Sequence, residues 1–473
     1  MSRSKNLISN TLILAAGTFA SKIIVLLMTP IYTMLLSPAE FGIADLVAQT
    51  SNMLIPLACV GICEGLFRFT LDCDDKKRVF SSGIFTLLAG SAVMFALLPL
   101  LSFFDMFDGY ILLIGAYVTC ANIHSACAQY IRAQGRTTLF MLQGIANTIL
   151  TVVLNILFLM VFDLGAYGYV LSIVLGDLIV TAAIFFFAGL YRDISVKSIS
   201  KSTLSEMLKF SIPYIPTTML WLITSVSDRY IVRVFCGEAE TGLYAAAYKI
   251  PTLLTLACGV FIEAWQFSAV KDAKTEDRAG FFGGVYKYYL TVIFIASSVL
   301  ILGSRFFTRI LLADSYFASW SFVPILVIAT AFSVLVQFLG SVYFVEKKSV
   351  FSMLTALVGA LINVVLNFIM IPDHGAMGAA VATLISYLAV YIVRAMDTKR
   401  YIEFDLKIPK LFINMMLLML QIAILYSGVR YAYIAQIGCF AVILLINAKT
   451  IFEIAREFLM AFLKIKNKNL QKK

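Results

Sequence analysis

The sequence predicts an all-α integral membrane protein of about fourteen transmembrane helices, with two six-helix lobes in parallel repeat and two extra C-terminal helices. Three observations predict this fold: the composition, a series of long apolar runs and an internal repeat. Hydrophobic residues make up 61% of the 473 residues and charged residues 14%, whereas soluble domains hold roughly 45–50% and about 25%. This excess is too large for a soluble core, so we expect a polytopic membrane protein.

The apolar runs of the chain are each about twenty residues long, which is enough to span a bilayer as a helix. Several runs contain an internal proline, where we expect the helix to bend. The fourteen runs are residues 11–36, 40–66, 80–104, 109–131, 140–162, 167–190, 210–232, 242–268, 284–304, 318–345, 349–371, 377–393, 411–427 and 431–451.

The lysines and arginines cluster in every second connection between runs. The intervening connections hold only Arg233, Arg305, Arg309 and Arg430. Basic residues concentrate on the cytoplasmic side of membrane proteins, so both termini are predicted to be cytoplasmic. A net charge of +10 would suggest a nucleic-acid partner in a soluble protein, but this alternation indicates the lipid bilayer instead.

An internal repeat relates the two halves of the chain. Ala39-Glu40-Phe41-Gly42 recurs as Ala239-Glu240-Thr241-Gly242, and Gly165-Ala166-Tyr167-Gly168 recurs as Gly375-Ala376-Met377-Gly378. Many membrane transporters are built from such duplicated halves around a central site. The first span of each half runs outward, so the repeat is parallel. The predicted domains are an N-terminal lobe at 1–195, a C-terminal lobe at 196–398, and an extra helix pair with a basic cytoplasmic tail at 399–473.

Polar side chains inside the apolar runs are the candidate substrate contacts. A charge at bilayer depth costs at least about 2.5–3.5 kcal/mol on insertion scales, so each one needs a reason. Asp45, Gln49 and Asn52 share one helix face, and Lys249 occupies the place equivalent to Gln49 in the second copy. The residues predicted to line a substrate cavity are Lys22, Lys249, Gln49, Asn52, Asn147, Asn155 and Asn363.

A second set of charged residues is predicted to gate or couple transport. This set comprises Asp45, Glu64, Asp228, Arg229 and Glu263. Three alternatives stay open. Asp228 and Arg229 could form a local ion pair, and the polar stripes could serve as contacts between helices. Glu64 and Glu263 could pair with Arg68 or other basic residues near the membrane surface. The sequence contains no recognisable catalytic, cofactor or metal-binding constellation, so we expect neither an enzyme nor a cofactor.

Segments in both halves resemble one membrane family. Pro30-Ile31-Tyr32-Thr33 and Phe41-Gly42 in the first half, and Asp228-Arg229-Tyr230-Ile231 with Gly242 in the second, are the clearest. They resemble the oligosaccharide and polysaccharide flippases of the multidrug/oligosaccharidyl-lipid/polysaccharide (MOP) exporter superfamily. The resemblance extends over the full length and includes the 6+6+2 arrangement of spans.

This resemblance implies a transporter that flips undecaprenyl-diphosphate-linked oligosaccharide across the bacterial inner membrane by alternating access, for surface polysaccharide biosynthesis. It also implies a cationic cavity, for which Lys22 and Lys249 occupy fitting places. A diphosphate headgroup cannot cross hydrocarbon unaided, and two cations can neutralise it. Glycosyltransferases and a polymerase of the same pathway are the expected partners.

Three alternatives remain at this stage. A lipid II flippase is a close relative with the same headgroup chemistry. A multidrug/cation antiporter of the same superfamily commonly has a carboxylate in its first span, where this chain has Lys22 and no acid. A membrane glycan polymerase or ligase would need a large external loop, and the outward connections here are short.

Overall fold

The structure is a computed structural model that describes residues 21–272, 277–346 and 348–470. All regular secondary structure in these residues is helical, which confirms the predicted all-α class. The main helices are α1 (Ser21–Leu35), α2 (Pro38–Ala58), α3 (Ile62–Asp72), α4 (Lys76–Leu97), α5 (Ile111–Ala133), α6 (Thr137–Ile156), α7 (Gly165–Phe187), α8 (Lys201–Ser211), α9 (Tyr214–Cys236), α10 (Glu238–Ala247), α11 (Thr252–Asp272), α12 (Arg278–Leu302), α13 (Ser304–Leu311), α14 (Val323–Val345), α15 (Ser349–Asp397), α16 (Ile408–Tyr426) and α17 (Ala432–Leu470). Short helical turns lie at Leu98–Phe103, Asp105–Phe107, Leu157–Val161, Leu190–Asp193, Val196–Ser198, Asp314–Ser321 and Thr398–Arg400.

Helical structure covers most of each of the fourteen predicted runs where the chain is described. Nine helices in the described part are long and apolar enough to cross a membrane, and α2 with α3 meets the same criteria as a pair bent by 52°. Helix α15 carries two predicted runs, on either side of Gly375, where φ is 57° and ψ is −146°. The protein is therefore a multi-pass membrane protein.

Local sequence signals explain where several helices begin. Before α2, the Ser37 side chain accepts a hydrogen bond from the Glu40 backbone N–H, while the Glu40 carboxylate accepts one from the Ser37 N–H. This capping box satisfies backbone donors that the first helical turn leaves unpaired, and Pro38 suits the first helical position. The Asp75 and Asp277 carboxylates cap α4 and α12 by accepting a hydrogen bond from the backbone N–H three residues later.

The described chain forms two compact units. The first contains the described residues within 1–246, 311–316 and 367–376, and the second those within 247–310, 317–366 and 377–473. In the first unit, α5 packs against α2, α3, α4 and α7. In the second unit, α12 packs against α14, α16 and α17.

Aromatic and amide contacts hold the interior of each unit. In the first, Phe80 stacks on Tyr130 with ring centroids 4.1 Å apart. In the second, buried amides and hydroxyls attach the last two helices to α12, as expected where apolar burial adds little between helices in lipid. The hydrogen bonds join Ser298 to Gln421 (2.8 Å), Thr291 to Asn447 (3.1 Å), and Asn447 to Asn414 (2.9 Å).

Candidate functional site

The two copies of the repeated segment around Gly42 and Gly242 pack against each other in the first unit. A Cβ atom built on Gly242 would lie 1.7 Å from the carbonyl oxygen of Pro38, and one on Gly42 would lie 2.5 Å from that of Glu238. No side chain fits at either distance, so both glycines permit a backbone-to-backbone approach of α2 and α10. We refer to this contact of Gly42 with Gly242 as the glycine contact.

The glutamate of each repeated segment also occupies an equivalent place. Glu40 Oε1 is 2.5 Å from the position of a Cβ on Gly165, and Glu240 Oε1 is 3.6 Å from that on Gly375. Both of these glycines have positive φ, 52° and 57°, where the helical part of the next span begins. A carboxylate is favoured there because a helix N-terminus carries partial positive charge. The sequence repeat is therefore also a repeat of local structure.

An ion pair joins two of the predicted gating residues beside the glycine contact. The guanidinium of Arg229 on α9 lies 3.1 Å from the Asp45 carboxylate on α2, and the two side chains are only 10% and 13% exposed. The neighbouring Asp228 is fully buried, and its carboxylate accepts a hydrogen bond of 2.6 Å from the Tyr244 hydroxyl. The ion pair therefore links Arg229 to a residue nearly two hundred positions earlier in the chain.

The polar face of α2 continues from this ion pair toward its C-terminal end. Thr50 and Tyr230 share a hydrogen bond of 2.8 Å. The Asn52 side-chain oxygen accepts a hydrogen bond from the Tyr117 hydroxyl at 3.5 Å, and Gln49 is half-buried. The face predicted from the spacing of Asp45, Gln49 and Asn52 thus contacts α9 and α5 through polar groups.

The asparagines predicted on α6 have separate partners within the first unit. Asn147 donates a hydrogen bond of 2.8 Å to the Asp177 carboxylate on α7. Asn155 donates to the Thr151 carbonyl at 3.0 Å and to the Tyr32 hydroxyl at 3.5 Å. The α6 stripe therefore reaches both α7 and α1.

A cavity of about 190 Å³ lies in the second unit, where α10 gives way to α11. Its lining is rich in hydroxyl groups, so we call it the hydroxyl cavity. Asn363 is fully buried and donates a hydrogen bond of 3.2 Å to the hydroxyl of Thr383, a lining residue. Lys249 is half-buried and lies between two lining residues in the chain. The lining residues are Tyr248, Pro251, Thr252, Thr255, Ala329, Thr330, Ser333, Thr383 and Tyr387.

Three predicted site residues do not belong to these clusters. Lys22 on α1 and Glu64 on α3 have exposed side chains. Glu263 falls on α11, but its side chain lies outside the described residues. The cavity-lining role of Lys22 and the gating roles of the two glutamates remain predictions.

Sequence reasoning missed several residues of these clusters. Asp177 is a carboxylate within a predicted span, so the rule that singled out Lys22 could have found it. The threonines and tyrosines of the hydroxyl cavity gave no such signal, because these residue types are common throughout apolar helices. Among the described residues, no group of three or more His, Cys, Asp or Glu side chains could hold a metal ion.

Comparison with known proteins assigns the chain to a family. Residues 7–265 match the family model described as polysaccharide biosynthesis protein. The chain belongs to this family. An uncharacterised membrane protein of Methanocaldococcus jannaschii is 24% identical over 258 residues, which are 50% of this chain and 59% of that protein. The alignment thus spans less than two thirds of that relative.

Solved transporter structures share the fold of this family member. A lipid II flippase, MurJ, in an inward closed conformation matches with a TM-score of 0.72 and 14% identity, covering 94% of this chain and 99% of that one. An outward-facing multidrug resistance MATE transporter of the MOP superfamily matches at 0.60 with 14% identity, covering 84% and 95%. A MOP superfamily transporter from Pyrococcus furiosus matches at 0.58 with 14% identity, covering 84% and 96%. At these identities the similarity shows that the chain shares the fold of these transporters.

Proposed function

We propose that this chain flips undecaprenyl-diphosphate-linked oligosaccharide repeat units across the bacterial inner membrane by alternating access, for surface polysaccharide biosynthesis. Membership of the polysaccharide biosynthesis protein family and the MOP transporter fold support the proposal. The observation that carries it is the glycine contact beside the Asp45–Arg229 ion pair. In this contact the two halves of the sequence meet through short, non-covalent interactions, which can break when the helices separate.

The predicted topology gives this contact its role in the proposal. The connections that precede α2 and α10 face outward when both termini are cytoplasmic. The glycine contact then closes the outer side of the transporter, and its opening releases the headgroup there. When the contact opens, Gly42 moves away from Gly242 and Asp45 moves away from Arg229. The two interactions would therefore stabilise the same closed state.

The chemistry of the hydroxyl cavity suits the proposed substrate. A sugar presents many hydroxyl groups, and the threonine, serine and tyrosine hydroxyls of the lining can donate and accept hydrogen bonds with them. Lys249, next to the cavity in sequence, provides a cation for the diphosphate, and hydrogen bonds between ionised partners are stronger than neutral ones. The proposal therefore assigns the sugars to the cavity and the diphosphate to Lys249.

Transport by the purified chain is the direct test. The full chain is reconstituted into liposomes containing fluorescent undecaprenyl-diphosphate oligosaccharide, and an impermeant quencher measures the fraction that crosses the bilayer. We expect faster crossing than in protein-free liposomes. Equal rates would overturn the proposal.

The same assay separates the proposed substrate from its rivals. Lipid II is the second candidate, because a lipid II flippase shares the fold over 99% of its length. Faster movement of lipid II than of the oligosaccharide lipid would favour that function, and uptake of an organic cation alone would favour an antiporter. The proposed pathway partners are the glycosyltransferases that build the lipid-linked oligosaccharide and the polymerase that consumes it.

The Lys249→Ala substitution tests the diphosphate contact. A hydrogen bond to a charged group contributes about 1.5–3 kcal/mol, so we expect the apparent affinity for the substrate to fall roughly ten- to hundredfold. Lys197→Ala removes the same charge from an exposed connection and should change little. Equal activity of the two variants, at equal amounts in the membrane, would remove Lys249 from the site.

A further inference from the structure

A carboxyl group and an imidazole lie together inside the first unit, away from the ion pair described above. Asp177 on α7 is 8% exposed, and its carboxylate accepts the 2.8 Å hydrogen bond from Asn147. The His124 ring nitrogen Nδ1 lies 3.9 Å from the same carboxylate and 3.1 Å from the Thr181 hydroxyl. We call these four residues the Asp177 cluster.

Close packing of α6 on α7 brings the cluster together. A Cβ on Gly176 would lie 2.4 Å from the Thr151 hydroxyl and 3.1 Å from the Asn147 side-chain oxygen. Glycine next to Asp177 thus lets the polar stripe of α6 approach the carboxyl group directly. The cluster is built by three helices, because His124 belongs to α5.

Three side-chain oxygens on α6 are buried without a hydrogen-bond donor, those of Gln143, Asn147 and Asn155. Gln143 and Asn147 lie one helical turn apart, and Asn147 is the one that contacts Asp177. An acceptor buried without a donor is costly. A carboxylate only accepts hydrogen bonds, whereas a protonated carboxyl group donates one. Rotation of the Asn147 amide by half a turn would present its oxygen to a protonated Asp177, so this amide can satisfy both protonation states.

The other titratable groups around Asp177 are few. Tyr117 and Cys120 of α5 interact electrostatically with the carboxylate. The groups that α6 presents, Asn147 and Thr151, do not titrate.

The charged groups of the other elements packed on α7 contact residues other than Asp177. On α2, Asp45 is paired with Arg229. In the turn Leu190–Asp193, the Asp193 carboxylate accepts a hydrogen bond from Tyr130. Among the described groups facing Asp177, His124 is therefore the one that can become cationic within the cluster.

We propose that Asp177 and His124 form a proton-binding site and that this site couples proton movement to transport. The coupling, but not the proton binding, rests on the proposed function. On uptake, one O–H bond forms at an Asp177 carboxylate oxygen with a proton from one aqueous phase, and the same bond breaks when the proton leaves to the other. Intramembrane Asp and His residues serve as proton relays in other transporters. A proton suits the cluster better than a zinc ion, because the cluster has one carboxylate and one imidazole, fewer than the three such ligands of a catalytic zinc site.

Proton binding by Asp177 and His124 is tested without any substrate. Infrared difference spectra of the full chain in lipid nanodiscs are recorded across a pH titration, and the band of protonated carboxyl groups is followed. We expect Asp177→Asn to remove one titrating carboxyl component. Asp163→Asn makes the same change at an exposed residue of the α6–α7 connection and should leave that component in place. An identical spectrum for Asp177→Asn and the parent chain would overturn the site.

A second variant keeps the test decisive if Asp177→Asn does not fold. His124→Gln keeps a hydrogen-bonding side chain but removes the titratable ring, so the midpoint of the Asp177 component should shift. An unchanged midpoint would exclude His124 from the site. This measurement does not depend on activity and separates proton binding from a purely structural role.

The coupling of proton movement to transport is tested in the liposome assay with a pH gradient across the bilayer. We expect the gradient to change the flipping rate of the parent chain and of Asp163→Asn, and to have no effect on Asp177→Asn. An equal gradient effect in all three would overturn coupling through Asp177. If the parent chain flips no oligosaccharide, the proposed function fails, while the infrared titration still decides the proton site.

Discussion

Beyond the glycine contact, the two copies of the internal repeat form different structures from related sequences. In the first copy, α2 is helical from Pro38 to Ala58, and its polar face pairs with neighbouring helices. In the second copy, α10 ends at Ala247 and α11 begins at Thr252, and the hydroxyl cavity lies at this break. The difference shows that one repeated segment can serve either as a continuous contact helix or as the wall of a cavity.

Each break lies close to a proline, and the prolines occupy different places in the two copies, Pro251 in the second and Pro56, inside α2, in the first. Pro251 occupies the place that Ser51 holds in the first copy. Proline has no backbone N–H, and its ring clashes with the carbonyl four residues earlier, so a helix cannot continue normally through it. The first copy breaks later, where Val60 and Gly61 have φ values of 51° and 66°.

The largest expected effect is on the ion pair that distinguishes the first copy. Asp45→Asn removes the negative charge beside the nearly buried Arg229 guanidinium. Breaking a buried ion pair from one side costs about 3–5 kcal/mol, so we expect the free energy of unfolding to fall by that order. Titration of the purified chain with denaturing detergent measures the change.

Two further variants serve as controls for this prediction. Asp405→Asn affects an exposed carboxylate paired with Lys407, and exposed pairs contribute only about 0–1 kcal/mol. The double variant with Arg229→Gln should lose less stability than the sum of the single variants, because the charges interact. Strict additivity would show that Asp45 and Arg229 act independently.

A proline moved into the first copy should reproduce the break of the second. Ser51→Pro places proline within α2, where the cost is about 3 kcal/mol or more. The reverse change, Pro251→Ser, falls where the helix is already interrupted and should cost much less. Thermal unfolding of both variants in the same detergent measures the contrast. Similar losses would contradict the assignment of the break to Pro251.

The smallest expected effect concerns one hydroxyl group of the cavity. Thr330→Val keeps the shape of a lining side chain and removes its hydrogen-bonding group. A neutral hydrogen bond contributes about 0.5–1.5 kcal/mol, so we expect the apparent affinity for the oligosaccharide lipid to fall roughly two- to tenfold. Thr138→Val, at an exposed residue, is the control. An unchanged affinity in Thr330→Val would remove this hydroxyl from the sugar contact.

Much of the fold was predictable because membrane insertion imposes strong local rules. Each apolar run had to satisfy its own backbone hydrogen bonds, which a helix does within the segment. The helical runs and the all-α class follow from such patterns, and the all-α class is confirmed. The resemblance to polysaccharide flippases agrees with the family that the chain belongs to. The roles of the individual site residues stay predictions. The spacing of Asp45, Gln49 and Asn52 placed them on one face, but it could not identify Arg229 and Tyr117 as neighbours.

The hydropathy pattern, the alternation of charge and the paired glycine segments can be read from the sequence without a structure. Each of these features depends on neighbours along one helix or is found by comparing two stretches of the chain. Tertiary structure alone brought Gly42 to Gly242, Asp45 to Arg229 and His124 to Asp177. These pairs depend on how helices far apart in sequence pack, and polar side chains inside lipid take whichever partners that packing brings within reach. The clusters that could open, bind or carry a proton therefore appear only in the folded chain.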